Sequence, residues 1–108
     1  MAGIARLNIV KDTAGTSYGS GNLLYTAGGN FLLSVIVSSA SEDDGTFSIY
    51  VVPEGEEETP SSWGNIVYNL PLPSFNSYET FRFGVNNGDS VYSAGSANFD
   101  YYVQGILQ

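Results

Sequence analysis

Large apolar residues recur at every second position along most of the chain. In the stretch FLLSVIVS, Phe31, Leu33, Val35 and Val37 alternate with a second set that contains two serines. The stretch FDYYVQ at residues 99–104 shows the same period of two. Such alternation is the pattern of a β-strand with one buried face, and the chain has no sustained apolar period of 3.6 residues. The pattern therefore predicts strands and no long helix.

Segments rich in Gly, Pro, Asn, Asp and Ser separate the alternating stretches, which is typical of turns between short strands. We predict eight strands, at residues 4–10, 22–27, 31–39, 46–53, 65–71, 78–85, 89–93 and 97–107. Many short strands with regular turns indicate an all-β fold, a single antiparallel β-sandwich of the jelly-roll type. We expect residues 1–21 to form an N-terminal strand with a flexible Gly/Ser/Thr loop, and residues 22–108 to form the sandwich domain.

The amino-acid composition limits the classes of partner that the protein can bind. The 108 residues fit one domain, and only 13% are charged, against about 25% in an average soluble domain. A neutral surface rich in Ser, Asn, Gly and Tyr suits contact with other proteins. The net charge is −8, and Arg6, Lys11 and Arg82 are the only basic residues. Nucleic acid and anionic membranes both need clustered Lys and Arg, so we expect neither as a partner.

Residues that could carry catalysis are scarce. Histidine and cysteine are absent, which removes the commonest general base, the Ser-His-Asp system and thiolate metal sites. The acidic turn SEDDG at residues 41–45 does not match a calcium loop, and GTSYGSGN at 15–22 carries no phosphate-binding motif and suggests a flexible turn. We therefore predict no enzyme activity, no cofactor and no metal.

Aromatic and terminal apolar residues are the candidates for contact with a partner. Trp63 follows four glutamates in a loop, where it could anchor a partner or cover the end of the sandwich. Asp100 lies within the last predicted strand and most simply points outward, although it could also pair with Arg82. An apolar terminal strand with a free edge would aggregate, so we expect it to be covered in an assembly. The candidate contacts are Ile4, Leu7, Ile9, Trp63, Tyr92, Tyr101 and Tyr102.

The order of several short motifs resembles a β-sandwich domain of tailed-phage virion proteins, cyanophages included. It begins with NLLYTAGG at residues 22–29, continues with VIVSS at 35–39 and VVPEG at 51–55, and then has YNLP at 68–71. The segments at 88–98 and 101–106 complete the order, so the resemblance covers most of the chain from Asn22. Gly28 stands where that family usually has proline, and its members do not typically carry the acidic loop at 56–58.

The resemblance implies a non-enzymatic virion structural protein. We expect a capsid decoration or cement subunit that binds the major capsid protein lattice and stabilises it, located on the capsid surface rather than the tail. A chain that begins at Met1 looks like a small accessory subunit, and symmetry favours a homo-oligomer such as a trimer.

The alternative is a tail, fibre or baseplate module for assembly or for recognition of a host polysaccharide, with Tyr50, Tyr92, Tyr101, Tyr102 and Trp63 as a sugar-stacking face. An acidic mimic of nucleic acid is less favoured because the acids gather in two loops.

Overall fold

Strands and turns make up the whole of the described structure. The structure is a computed structural model that describes residues 3–12, 15–39, 42, 44–58 and 63–108. Within these residues there is no helix that could cross a membrane. The strands are β1 (Ala5–Asp12), β2 (Asn22–Thr26), β3 (Phe31–Ser38), β4 (Gly45–Val52), β5 (Gly64–Leu72), β6 (Ser77–Glu79), β7 (Phe83–Val85), β8 (Ser90–Gly95) and β9 (Phe99–Leu107).

The strands form two antiparallel sheets that face each other. Sheet I has the order β1-β9-β3-β6, and β7 also pairs with β3; sheet II has the order β2-β8-β4-β5. If β6 and β7 are counted as one interrupted strand, this is the strand order of an eight-stranded jelly roll built from two Greek keys. The predicted antiparallel β-sandwich is confirmed. The predicted strand at 78–85 is interrupted at residues 80–82, where Thr80 bonds to the backbone of Val35 instead of continuing the ladder.

The core lies between the sheets and is built from the alternating residues. On β9, Phe99, Tyr101 and Val103 are buried, whereas Tyr102 between them is exposed. Burial of each large apolar side chain contributes about 1.5–3 kcal/mol, so this alternation fixes which face of a strand points inward. The other core residues are Leu24, Ala27, Leu33, Val35, Val37, Phe47, Ile49, Val67, Leu72, Phe83, Val85 and Val91.

β1 belongs to the sandwich although a long loop separates it from β2. It pairs along β9 from Ala5 to Asp12, with one irregularity between Arg6 and Asn8. Leu7 and Val10 pack against the core. The first strand is therefore the outermost strand of sheet I, and its second edge is unpaired within the described residues.

The turn between β7 and β8 has the conformation that its sequence predicts. Gly88 has φ +90°, and the Asp89 amide donates to the Asn86 carbonyl at 3.0 Å. The Asp89 carboxylate in turn accepts from the Asn86 amide at 2.8 Å and from the Glu54 amide at 3.1 Å. Glycine accepts a positive φ without steric cost, so NNGD is a turn that also fixes the start of the β4–β5 loop.

Candidate functional site

The predicted contact residues are divided between three places in the fold. Ile4, Leu7 and Ile9 lie on or beside β1, and Tyr102 lies at the middle of sheet I on the face that points away from the core. Tyr92 lies on the corresponding outer face of sheet II, where its ring stacks on that of Tyr50. Tyr101 is fully buried between the sheets. It offers no surface to a partner, which corrects its inclusion among the contacts.

The outer face of sheet I carries an apolar row across three strands. Ile9 on β1 is paired with Tyr102 on β9, and Tyr102 is paired with Ile36 on β3. Ile9 is 47% exposed and Tyr102 is 36% exposed. We call Ile9, Tyr102 and Ile36 the sheet I row. Three apolar side chains in register on an open face form a surface that a protein partner can cover.

An ion pair lies next to the sheet I row. The Lys11 ammonium is 3.2 Å from a carboxylate oxygen of Asp100, and both side chains are largely exposed. The predicted outward orientation of Asp100 agrees with its exposure, whereas the possible pair with Arg82 does not form, because β9 lies between β1 and β3, away from β7. An exposed pair of this kind contributes about 0–1 kcal/mol to stability, so it shapes the surface more than it holds the fold.

The outer face of sheet II is covered by an aromatic cluster, which we define as Tyr18, Tyr50, Trp63, Tyr68 and Tyr92. Tyr50 and Tyr92 are stacked on neighbouring strands, with ring centroids 5.8 Å apart. Trp63 packs on Tyr50 at 4.4 Å, and Tyr18 meets Tyr50, Trp63 and Tyr68 edge-on. Edge-to-face and stacked contacts of this kind add about 0.5–1.5 kcal/mol each beyond area burial. Trp63 therefore covers the outer face of sheet II and not the end of the sandwich.

Hydrogen bonds hold two loops over this cluster. One oxygen of the Glu58 carboxylate accepts from the Tyr50 hydroxyl at 2.7 Å and from the Gly21 amide at 3.0 Å. The Trp63 indole donates to the Tyr18 hydroxyl, and Tyr18 donates to the side chain of Asn65. Burial, and then the hydrogen bond to Glu58, raise the pKa of Tyr50 well above its ordinary value. The stretch that suggested a flexible turn is thus anchored by Tyr18.

A β-bulge opens a small pocket beside the aromatic cluster. Along β5, Val67 pairs with Ile49 and Leu70 pairs with Phe47, so Tyr68 and Asn69 both lie opposite Ser48. Asn69 has φ 52°, and its amide donates to the Ser48 hydroxyl at 2.9 Å. The pocket next to this bulge has a volume of about 100 Å³. It is lined by Thr16, Tyr18, Thr46, Ser48, Asn69, Ala94, Gly95 and Ser96.

The site has no feature of a metal centre. In the described part of the chain, no three residues of the types His, Cys, Asp and Glu come together in a way that could hold a metal ion. Of the acidic turn SEDDG, Ser41 and Asp43 lie outside the described residues, and Asp44 accepts a hydrogen bond from the amide of Ser74. The pocket is lined by hydroxyl groups, one amide side chain and one aromatic ring, all of them uncharged. The chemistry that this arrangement supports is the binding of a neutral polar group.

None of the sequence patterns marked Tyr18, Tyr68 or Asn69 as a candidate contact residue. Tyr18 stands in a stretch of glycine, serine and threonine without periodicity, and Asn69 stands in a strand where it reads as an ordinary polar position. The one local signal was the pair Tyr68-Asn69, since asparagine tolerates a left-handed backbone better than most residues.

Comparison with known proteins shows the fold. No protein-family model and no curated protein sequence matches the chain. Among solved structures, the chain is similar to a chain of the T13 viral particle of infectious bursal disease virus, with a TM-score of 0.58 and 6% identity over 100% of this chain. A second match is to the Gx strain of that virus, with a TM-score of 0.55 and 6% identity over 99% of this chain. A third is to the VP2 subviral particle of that virus, with a TM-score of 0.57 and 6% identity over 99% of this chain.

This chain spans about a third of the length of each matched chain, with coverages of 31%, 32% and 33%. At 6% identity, the similarity concerns the path of the backbone and not particular residues. The jelly roll described above is therefore a fold also found in proteins of virus particles.

Proposed function

We propose that this protein is a non-enzymatic structural subunit of a virus particle. The observation that carries the proposal is the similarity of the whole sandwich, end to end, to chains of three virus-particle structures. Fold alone does not determine function, so the proposal also rests on the surfaces of the molecule. Those surfaces are the edge of β1 that no other described strand pairs with and the apolar sheet I row beside it.

More specifically, we propose that the subunit decorates the capsid of a tailed phage and stabilises its lattice. The order of sequence motifs supports the phage assignment. The sheet I row supports the lattice contact, because a partner that covers Ile9 and Tyr102 removes apolar area from water and can pair with the free edge of β1. The partners are then the major capsid protein and further copies of this chain, for example in a trimer at lattice three-folds.

The second candidate is a module of the tail, fibre or baseplate that recognises a host polysaccharide. The neutral pocket beside exposed Tyr68 favours it, because sugars are bound by hydroxyl and amide groups next to aromatic rings. The aromatic face proposed from the sequence does not form as a unit, since Tyr50 and Tyr101 are buried and Tyr102 lies on the other sheet.

The number of copies per particle separates the two candidates. Quantitative mass spectrometry of purified virions, referenced to the major capsid protein, measures it directly. Copies comparable in number to the capsid protein support lattice decoration, and loss of the subunit should then lower the heat and osmotic stability of the particle while adsorption persists. A number limited to one vertex or one tail supports the second candidate, and loss should then abolish adsorption. Absence from purified particles contradicts both.

A further inference from the structure

We propose that the pocket between β4, β5 and β8 on the outer face of sheet II binds one ring of a neutral saccharide. This site is separate from the sheet I row, which faces away on the opposite sheet. The inference therefore does not depend on which virion position the subunit occupies. It assigns a ligand class to a surface that the lattice contact does not use.

The strand β5 contains a β-bulge at the pocket, although a regular strand could pair with β4 without one. The bulge at Tyr68 and Asn69 places two consecutive residues of β5 opposite Ser48, and both point toward solvent. Asn69 adopts φ 52°, a conformation that costs free energy for a residue other than glycine. Bulges often change the direction of side chains at binding sites. Here the bulge brings Asn69 into the lining of the pocket, while the neighbouring Tyr68 ring contacts Tyr18, which also lines it.

The pocket presents hydrogen-bonding groups that the protein leaves unused. The side-chain amide of Asn69 and the hydroxyl of Thr46 have no hydrogen-bond partner among the described residues. The hydroxyl oxygens of Ser48 and Ser96 accept bonds from the amides of Asn69 and Thr46, which leaves their hydrogens free to be donated. Hydroxyl and amide groups that can both donate and accept match the hydroxyl groups of a sugar ring.

One aromatic ring, that of Tyr18, lines the pocket, and the ring of Tyr68 packs against it. Tyr68 is 59% exposed, and its ring meets that of Tyr18 edge-on with centroids 5.1 Å apart. Tyr18 is fixed in turn by Trp63 and Asn65. A ring that is already ordered loses little conformational entropy when a ligand stacks on it, so the Tyr68 face is a prepared platform for the apolar face of a sugar.

The charge around the pocket selects a neutral ligand. The pocket lining contains no charged residue, and the chain as a whole has a net charge of −8. A phosphate or a uronic acid would meet no Arg or Lys there and would be repelled by the negative field. A cation would find no carboxylate among the lining residues. An uncharged hexose or N-acetylhexosamine is the class that remains.

The test is saccharide binding by the intact protein and two variants. Amide chemical shifts are followed by NMR during titration with glucose, galactose, mannose and N-acetylglucosamine, and an array of neutral bacterial polysaccharides extends the search to longer ligands. Tyr68→Ala removes the platform. Asn69→Gly removes the amide and keeps the left-handed backbone, because glycine adopts positive φ freely. Phe81→Ala is the control, since Phe81 is a similarly exposed aromatic residue between β6 and β7, which belong to the other sheet.

We expect at least one saccharide to shift the amides of Thr46, Ser48, Asn69 and Gly95, and each pocket variant to weaken its binding about tenfold, which corresponds to one lost sugar contact. Phe81→Ala should bind as the parent protein does. The proposal is overturned if neither the titrations nor the array detects binding, or if binding shifts residues of sheet I or survives both pocket variants. In those cases the bulge serves to protect the edge strand β5 from pairing with other chains.

Discussion

The hydroxyl of Tyr50 donates a hydrogen bond of 2.7 Å to the carboxylate of Glu58, eight residues further along the chain. The same carboxylate oxygen accepts from the Gly21 amide, so one acidic side chain joins β4, the β1–β2 loop and the β4–β5 loop. Glu58 is the last of four glutamates, a run that by sequence indicates only a solvated loop. Its final member is instead half-buried and holds the loop over the aromatic cluster.

Removing the Tyr50 hydroxyl should destabilise the protein. Tyr50→Phe deletes a hydrogen bond to a charged acceptor that is partly shielded from water, and we expect a loss of about 1–2 kcal/mol in the free energy of unfolding. Tyr101→Phe is the matched control, because that buried hydroxyl has no hydrogen-bond partner within the described structure. Its loss should change stability by less than about 0.5 kcal/mol or increase it. Urea unfolding measures both, and equal effects of the two substitutions would contradict the role given to Glu58.

Gly21 cannot carry a side chain where it lies. A Cβ at this position would come within 2.1 Å of the Ser93 carbonyl oxygen and 2.5 Å of the Tyr50 hydroxyl. We expect Gly21→Ala to cost about 3 kcal/mol, because the clash is with backbone and displaces the loop from the cluster. Gly64→Ala is the control, as its Cβ would meet no atom within 4 Å, and it should lie within about 0.5 kcal/mol of the parent. Thermal unfolding of the two variants gives the comparison, and similar midpoints would show that the loop can move away.

The fold follows from the sequence to the extent that it depends on local alternation. β3 and β9 were recognised from their period of two, and the same period places Tyr101 inward with Phe99 and Val103. The aromatic residue type alone makes Tyr101 a candidate contact, whereas its position in the alternation places it in the core. The interruption between β6 and β7 was missed because Thr80 bonds across to Val35, a long-range contact that local pattern does not encode.

The candidate site could not be found in this way. Tyr18 and Trp63 are 45 residues apart, and each stands in a loop without periodicity. They meet because two loops fold back over the same sheet, which depends on the three-dimensional path of the chain. The bulge at Asn69 likewise exists only relative to its partner strand β4. Alternation identifies which residues leave the core, but not which of them come together on the outside.

Alkaline pH should unfold the protein through its buried tyrosines. Burial is the main cause that raises the pKa of Tyr50 and of Tyr101 above the ordinary value of 10.0. At Tyr101 the nearby Ser93 hydroxyl opposes the rise in pKa and the Asp12 charge adds to it, but burial outweighs both. Both groups stay neutral in the folded state while they ionise in the unfolded chain. The stability that the two neutral tyrosines contribute is therefore complete below about pH 9. Above about pH 10 the free energy of unfolding falls by about 1.4 kcal/mol per pH unit for each group.

Urea unfolding across this pH range, together with tyrosinate absorbance, tests the alkaline prediction. Of the eight tyrosines, two should fail to titrate until the protein unfolds. Tyr50→Phe should make the fall in stability with pH less steep, because one of the two groups is gone. If all tyrosines titrate together near their ordinary pKa in the folded protein, the burial of these two hydroxyls in solution is disproved.

The sheet I row should be tested by point substitution and not by truncation. Deletion of residues 1–11 would remove nearly all of β1 and expose the edge of β9, and Leu7 and Val10 would be lost from the core. Ile9 is 47% and Tyr102 is 36% exposed, so Ile9→Ser and Tyr102→Ser also remove partly buried area, and we expect each to cost about 1–2 kcal/mol while the protein stays folded. Each should weaken binding to subunit-free particles about tenfold if these residues lie at the centre of the contact.

Leu23→Ser changes a similarly exposed residue on sheet II and is the control for a general increase in surface polarity. Unchanged binding of both row variants, or an equal loss with Leu23→Ser, would move the contact away from this face.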